Sequence, residues 1–523
     1  MRNIIIILFL FAGNCYGGML PRSVWYVQPV TGEYGAENGT TLATAFDGFA
    51  DIDWNAIQPN DYLICQGNFL ETLTIGKSGT ANKPITIIGR ACSINASGLI
   101  SGISIIDYGY ITIRDIYIEN ATTNNIYIGG TSTNIIINRA YAQRSGNQAF
   151  QNEGTSSAKY IGVQGNYCTD DGFSMHDNCN DTILGGSFYG NVQGVNSVGT
   201  SNLYMSNSYV HNSTTYGLWL TQSNYYHIIN SIIYNNNTNI TLENLSEILL
   251  ENSTVNTATD YNIYAKDLSK STINNCTITS ATTSNIIAID SSDLTINETS
   301  IINSTARAIL VTSTRDTSCR IILNKCIIGD YMYLDECYFE MNYCKITSTD
   351  NQHIIDSYNQ SQLSINYSIF TTIPNTKSAI TARAGALANV RNSVMYGIGT
   401  KQGSGIVCLG TANSTNNIFS NCATGFNRAG GTATSTNDCF YSNTANTAGT
   451  ITISNQITTN PNFVIAGTDF SLAVGSSCID AGANLGEVYQ LGLKNNSIWT
   501  NSINLLNQNN YENWEIGAYV YEP

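Results

Sequence analysis

The sequence predicts an all-β fold, a single-stranded right-handed parallel β-helix built from coils of about 22 to 24 residues. An apolar residue recurs at this period, and a second apolar or small residue follows two positions later, as in a strand with one face turned inward. Repeats of this length that are rich in β-branched residues, Asn and Gly are typical of β-helix solenoids. The apolar column consists of Ile126, Ala149, Phe173, Val195, Leu218, Ile240, Ile263, Ile286 and Ile309.

Two more columns follow the same period. Gly or Asn precedes most of the apolar positions, and because both residue types tolerate left-handed backbone, we interpret this column as a corner of the coil. The other column holds small residues and predicts side chains stacked inside the coil, three cysteines among them. Its members are Asn166, Ser187, Ser208, Ser231, Ser253, Cys276, Thr299, Cys326, Cys344, Ser368 and Ser393.

The chain begins with a pattern typical of a secretory signal peptide, which we assign to residues 1–17. A basic start precedes the apolar run Ile4 to Phe11, and small residues follow it. We therefore expect an exported protein that acts outside the cell or at its surface. No later stretch has the apolar length that a membrane span needs.

The remaining sequence predicts one elongated domain, because each coil of a solenoid needs only its neighbours for stability. Residues 18–93 depart from the repeat and are predicted to form an N-terminal cap with the first strands. Residues 94–457 carry the regular coils. The repeat ends after them, and residues 458–523 are predicted to form a C-terminal cap.

Charge and cysteine content narrow the classes of partner. The net charge of −15 argues against nucleic acid, whose binding needs clustered Lys and Arg. An acidic surface does not forbid an anionic polysaccharide, although it makes a bridging cation useful. The cysteine spacings fit no zinc site, and Cys168 with Cys179, or Cys319 with Cys337, are candidate disulfide partners.

Short runs near both ends of the chain carry a resemblance. They include Trp25-Tyr26-Val27, Ser78-Gly79-Thr80, Asn460-Pro461-Asn462-Phe463 and Ser476-Ser477-Cys478-Ile479-Asp480. With the coils between them, these runs resemble secreted pectate-lyase-like β-helix proteins. The resemblance implies the fold and a polysaccharide partner. It leaves the activity open, since that superfamily includes lyases, glycoside hydrolases, epimerases, phage tailspikes and adhesins.

One stretch, Tyr167 to Asn178, is rich in ionisable side chains, although only 11% of the residues in the chain are charged. It contains three carboxylates and one of the four histidines. With Phe173 and Met175 inward, Ser174 and His176 are predicted to face solvent. The stretch is therefore the candidate site.

The predicted register supplies the neighbours of this strand. Phe150 and Asn152 would stand beside it on the preceding coil, and Asn196, Tyr216 and Trp219 on the following coils. Aromatic faces beside polar groups suit a sugar, which presents apolar C–H faces and polar edges. We expect these five residues and Ser174 to bind the substrate.

The leading hypothesis is a lyase that cleaves a uronate-containing polysaccharide by β-elimination. His176 would be the base, since its reference pKa lies near neutrality. Asp170, Asp171 and Asp177 would hold Ca²⁺, which takes several oxygen ligands. Arg144 on the preceding coil would bind the substrate carboxylate.

Two alternatives stay open. In a glycoside hydrolase, Asp170 and Asp171 would share the acid and base or nucleophile duties, a pair that resembles the Asp-Asp of polygalacturonase-like hydrolases. In a glycan-binding, adhesive or structural β-helix, the Asp-Asp-Gly sequence would be a turn and nothing more.

Overall fold

The computed structural model describes residues 22–30, 34–222, 224–313, 319–348, 352–373, 375–397, 399, 401–495, 497, 499, 503–511 and 513–523. These residues form a right-handed parallel β-helix, which confirms the predicted fold. The segment 1–17, predicted as a signal peptide, lies outside the described residues. Within them, no helix has the length and apolarity needed to cross a membrane.

Each regular coil adds one strand to each of three parallel sheets. We number the sheets in the order in which the chain passes through them within one regular coil. The strands of sheet 1 are Leu73–Thr74, Ser101–Ile106, Asn124–Gly129, Gln148–Asn152, Asp171–Met175, Gln193–Ser197, Tyr216–Thr221, Thr238–Glu243, Tyr261–Ala265, Ser284–Ile289, Arg307–Thr312, Met332–Asp335, Ile355–Tyr358, Ser378–Ala382, Ser404–Cys408, Thr424–Arg428 and Ala445–Ala448.

Sheets 2 and 3 share four long bent strands in the first coils, Tyr62–Phe69, Ile85–Asn95, Gly109–Glu119 and Thr133–Gln143. Sheet 2 also contains Val24–Gln28, Ala158–Ile161, Asn180–Leu184, Asn202–Ser206, Tyr225–Ile229, Glu247–Glu251, Lys270–Asn274, Asp293–Asn297, Cys319–Asn324, Cys337–Asn342, Gln362–Asn366, Leu387–Arg391, Thr411–Thr415, Thr432–Thr436 and Thr452–Ser454. Sheet 3 also contains Gln164–Asn166, Ser187–Tyr189, Tyr209–His211, Ile232–Tyr234, Thr254–Asn256, Thr277–Thr279, Ser300–Ile302, Ile327–Ile328, Lys345–Thr347, Ile369–Ile373, Val394–Gly397, Ile418–Ser420 and Cys439–Tyr441.

The apolar column lies inside the coils. Ile240, Ile263, Ile286 and Ile309 are successive partners in the sheet 1 ladder, and all are buried. Adjacent strands lie about 4.8 Å apart, so identical side chains stack with no gap between coils. A continuous apolar core therefore runs along the helix axis.

The predicted register is wrong by one residue on one coil. Phe150, not Ala149, pairs with both Ile126 and Phe173. The Phe150 ring is fully buried and packs edge-on against Tyr160, with ring centroids 5.6 Å apart. Because side chains alternate along a strand, this slip exchanges the faces of Phe150, Gln151 and Asn152.

The Gly and Asn column is not a left-handed corner. Asn239, Asn262 and Asn285 are fully buried and form a ladder, in which the Nδ2 of one donates to the Oδ1 of the next at 2.7 to 2.8 Å. Position 172 has room only for glycine, because a Cβ there would lie 2.6 Å from the side chain of Asn191. The left-handed positions instead follow the sheet 2 strands, as at Asn252 with φ of 48°.

The small-residue column is buried as predicted from Ser208 onward, and side-chain oxygens in it accept hydrogen bonds from backbone amides one coil earlier. Cys276, Cys326 and Cys344 belong to it. Every cysteine in the described residues is a buried free thiol. The two candidate disulfides are therefore wrong, since buried thiols here fill core space as Ser does in other coils.

The start of the helix is closed by the chain before the first full coil. Val27 pairs with Phe46 in the short strand Phe46–Asp47, just after a 3₁₀ turn at Leu42–Thr44. The Phe49 ring stacks on Phe69 with centroids 3.9 Å apart. These contacts cover the apolar end of the core.

The last segment lies along the side of the helix. It forms the hairpin Phe463–Ile465 and Asp469–Leu472, a sheet of Leu491–Lys494, Leu505–Asn507 and Tyr519–Val520, and 3₁₀ turns at Glu487–Tyr489 and Gln508–Asn510. Its apolar side chains pack on outward residues of sheet 3 such as Ile369, Val394 and Ile418. This segment covers the last coils of sheet 3 and does not cover the coils of sheet 1 that carry Asp171.

Candidate functional site on sheet 1

The outer face of sheet 1 displays the chemistry-bearing strand Asp171–Met175. Its register is fixed by pairing of Ser174 with Gln151 on the preceding coil and Asn196 on the following coil. Asn196 pairs in turn with Trp219. Four outward side chains thus form a row across four coils, each about 4.8 Å from the next.

Asp171 is the buried centre of this face. Its Oδ2 accepts hydrogen bonds from Nδ2 of Asn196 at 3.1 Å and from Nε2 of Gln148 at 3.5 Å. The same amide of Gln148 donates to Asp170 at 3.2 Å, so the two carboxylates share a donor. Burial, and secondly the neighbouring charge of Asp170, raise the pKa of Asp171 to about 7.

Ser174 lies between Asp171 and His176. Its hydroxyl lies 3.0 Å from Nε2 of His176, and its interaction with the Asp171 carboxylate lowers the pKa of that group. With its proton directed to the carboxylate, the Ser174 oxygen accepts from Nε2–H of His176. Nδ1 of the half-buried His176 then carries the free lone pair, the atom that a base requires.

In the observed register, two residues that were not predicted from the sequence lie near His176. Glu153 follows Asn152, whose carbonyl accepts from the His176 amide at 2.9 Å, and this places Glu153 next to His176 on the outer face. Tyr127 on the preceding coil donates its hydroxyl to Glu153 at 3.0 Å. Burial and this bond raise the pKa of Tyr127 to about 12.

Phe150 and Asn152, predicted to bind substrate, face the interior. Asn152 donates to Oδ1 of Asp181 at 2.6 Å and accepts from the hydroxyl of Tyr160, and all three side chains are buried. Burial raises the pKa of Asp181 to about 8. Asn152 therefore satisfies a buried acid and does not contact solvent.

Tyr216 and Trp219 form an aromatic surface two coils beyond Asp171. Their ring centroids are 5.6 Å apart at 33°, and both rings are partly exposed. The indole N–H of Trp219 is buried and has no hydrogen-bond partner within the described part of the chain. The exposed parts of the two rings therefore form the aromatic surface next to the polar row.

The structure does not bring the other two predicted residues to this centre. Arg144 pairs with Glu119 at 3.4 Å on the sheet 3 side, and its side chain is largely exposed. Asp177 accepts from the amide of Gly154 at 3.2 Å, beyond the far end of the strand. Asp177 lies six positions after Asp171, past the end of the strand Asp171–Met175, in which each residue advances about 3.3 Å.

The predicted Ca²⁺ ligands therefore do not fit together as a cation site. Asp171 already accepts from two amides, and Asp177 is remote from it. Across the described ranges, no group of three or more His, Cys, Asp or Glu side chains is arranged to hold a metal ion. We assign no step to a metal.

Sequence comparison matches residues 193–333 to the family described as a right handed beta helix region. The matched coils include Asn196 and Trp219, and the match agrees with the fold. No curated protein matches the chain.

Solved structures give loose superpositions. The pectate lyase Pel9A is 11% identical, with 97% of this chain and 98% of that chain covered and a TM-score of 0.33. The PL6 family alginate lyase AlyGC is 9% identical, covering 83% and 100%, with a TM-score of 0.23. An alginate lyase from Paenibacillus sp. str. FPU-7 is 9% identical, covering 77% and 94%, also with 0.23. At these TM-scores the likeness carries no information on activity or substrate.

Proposed function

We propose that the outer face of sheet 1 binds an acidic polysaccharide outside the cell and cleaves it by β-elimination, with His176 as the base. The observation that supports this most directly is the chain Asp171–Ser174–His176, which leaves Nδ1 of His176 free on a face that also carries Trp219. The reaction needs a base, and an aromatic face can pack on the sugar that carries the proton.

The reaction requires few groups. Nδ1 of His176 takes the proton beside the uronate carboxylate, the C–O bond to the leaving sugar breaks, and a C=C bond forms. The imidazolium then returns the proton to the leaving oxygen. Asp171 is a positioning residue, because it is fully buried and holds the imidazole tautomer through Ser174.

The substrate carboxylate has N–H donors within the polar row. The amide N–H₂ of Gln151 lies beside Ser174 on the outer face, where Gln151 is partly exposed. Such donors stabilise the charge that develops on the carboxylate as the adjacent proton leaves.

Hydrolysis is the second candidate, and the pKa of Asp171 favours it. A carboxyl with a pKa near 7 is protonated often enough at neutral pH to act as an acid, and Asp170 lies beside it, partly exposed. Hydrolysis nevertheless ranks second, because Asp171 is buried and a catalytic acid must reach the glycosidic oxygen.

The test incubates the full chain with pectate, alginate, hyaluronan and neutral glycans, following ultraviolet absorbance of unsaturated uronates together with reducing ends. We expect absorbance that falls by roughly 10²- to 10⁴-fold in His176→Ala, the usual loss of a general base. His227→Ala is the matched control, since His227 is half-buried on sheet 2, where it pairs with Glu251 at 2.9 Å.

Each other outcome has a meaning. Reducing ends without absorbance would move the assignment to Asp170 and Asp171. Glycan binding with neither signal would indicate an adhesive or structural β-helix. Absorbance that survives in His176→Ala would show that another residue is the base.

A further inference from the structure

A second cluster of aromatic and basic side chains lies on the same outer face, beyond the site just described. The rings of Tyr333 and Tyr358, on consecutive coils, stack with centroids 4.8 Å apart at 27°. The guanidinium of Arg307 lies 5.9 Å from the Tyr333 ring, and that of Arg383 lies 5.1 Å from the Tyr358 ring. Two arginines therefore flank a pair of stacked tyrosines.

The two arginines differ in their partners. Arg383 makes a bidentate pair with the buried Asp356, with Nε–Oδ1 and Nη2–Oδ2 both at 2.8 Å. Tyr358 donates to the same carboxylate at 3.0 Å. The charge of Arg383 is thus compensated, and its planar fork is occupied.

Arg307 has no such compensation. Across the residues that the structure describes, it forms no ion pair, and its buried Nε has no hydrogen-bond acceptor. A buried N–H group without an acceptor is rare in native proteins and indicates a missing partner. The guanidinium of Arg307 is attracted to the face of the Tyr333 ring, but this contact provides no acceptor for its Nε–H.

The surroundings of Arg307 select the partner's chemistry. The chain carries a net charge of −15, and Arg307 presents a positive charge without a carboxylate partner among the described residues. The half-exposed tyrosines Tyr331 and Tyr333 provide hydroxyls and ring faces beside it. A carboxylate would pair with the guanidinium fork, and a sugar ring would pack on tyrosine.

We propose that Arg307, Tyr331 and Tyr333 form a second binding site, which takes the carboxylate of an acidic sugar. The site lies six strands along sheet 1 from Asp171, about 29 Å at the spacing of adjacent strands. It rests on the proposed function only in taking the ligand to be a glycan. The open face between the two sites carries the paired rings of Tyr261 and Tyr264.

The test measures calorimetric binding of a galacturonate hexamer and a mannuronate hexamer to the full chain carrying His176→Ala, which prevents turnover. Adding Arg307→Ala is expected to weaken binding by about tenfold or more, the usual worth of a charge-assisted hydrogen bond. Arg307→Lys is expected to fall between, since it keeps the charge without the fork. Carboxyl-reduced hexamers are expected to bind weakly to every variant.

Arg139→Ala is the matched control, because Arg139 pairs with Asp115 at 2.6 Å away from sheet 1. Unchanged affinity in Arg307→Ala, equal binding of the carboxyl-reduced hexamers, or no binding of either acidic hexamer would overturn the proposal. A thermal unfolding curve checks that each variant is folded, and Arg307→Gln, which keeps most of the side-chain volume, replaces an unfolded Arg307→Ala.

The two proposals fail separately. Turnover on an acidic polysaccharide together with Arg307-independent binding overturns this site and leaves the role of His176 intact. Arg307-dependent binding without any product overturns the elimination and leaves this site intact.

Discussion

Ser174 Oγ lies 3.0 Å from Nε2 of His176, on the strand that also carries the buried carboxyl of Asp171. This contact occupies Nε2 and leaves Nδ1 as the nitrogen that can act as the base. It also makes Ser174 the residue whose removal separates positioning from chemistry, because a serine hydroxyl is small and its loss leaves little space.

Ser174→Ala is expected to lower kcat by about tenfold, the equivalent of one hydrogen bond, with little change in KM. The imidazole then loses its fixed tautomer, while the sugar contacts of Trp219 remain. Steady-state kinetics across pH measure both effects. A rise in KM at constant kcat would instead assign Ser174 to substrate binding.

Asp181 is expected to make the protein less stable as pH rises. In the unfolded chain its pKa is about 3.9, and burial raises the folded value to about 8. Below pH 4 both states are protonated, and between pH 4 and pH 8 the folded state retains a proton that the unfolded state has lost. Stability therefore falls across this interval and is level above it.

Asp181→Asn removes that titration, so its Tm should fall less than that of the wild type between pH 5 and pH 8.5. Exposed Asp177→Asn is the control and should follow the wild type. Identical pH slopes in the wild type and Asp181→Asn would mean that Asp181 titrates normally. The buried Asp171, Asp438 and Glu515 have raised pKa values too, so a residual slope remains in every variant.

The register of the strand Gln148–Asn152 has a direct stability test. Phe150→Ala is expected to destabilise the fold by about 3 to 5 kcal/mol, because it empties a fully buried ring site between Tyr160 and Phe173. Gln151→Ala, on the outward face, is expected to cost less, about 1 kcal/mol for the hydrogen bond it accepts from Asn124. Denaturant unfolding checks both, and equal effects would contradict the register.

The same strand shows how far the sequence alone could specify the structure. The period predicted the fold and the inward isoleucines correctly, because a core of stacked β-branched residues repeats in every coil. It failed where Ala149 and Phe150 both suited an inward position. Packing decides between them, since only the larger ring fills the space beside Tyr160 and Phe188.

This single slip also determined what was predicted for the site. It placed Phe150 and Asn152 on the surface and hid Glu153 and Gln151, which occupy the positions beside His176 and Ser174. The carboxylate cluster itself was visible from composition. Its separation into a buried Asp171 and a remote Asp177 was not, because distances along and across a strand do not appear in a local motif.

The buried asparagine ladder provides the last test. Asn262 donates to the Thr279 carbonyl and to Oδ1 of Asn285, both at 2.8 Å, and these bonds tie the end of a sheet 3 strand to sheet 1. Asn262→Ala removes both of these bonds and the bond that Asn262 accepts from Asn239 at 2.7 Å, at a cost of about 2 kcal/mol. Asn297→Ala is the matched control, since Asn297 belongs to a ladder on the outer face of sheet 2. Water can replace the hydrogen bonds of Asn297, so the Tm of Asn297→Ala should change little. An equal loss of Tm in both variants would contradict a special role for the buried ladder.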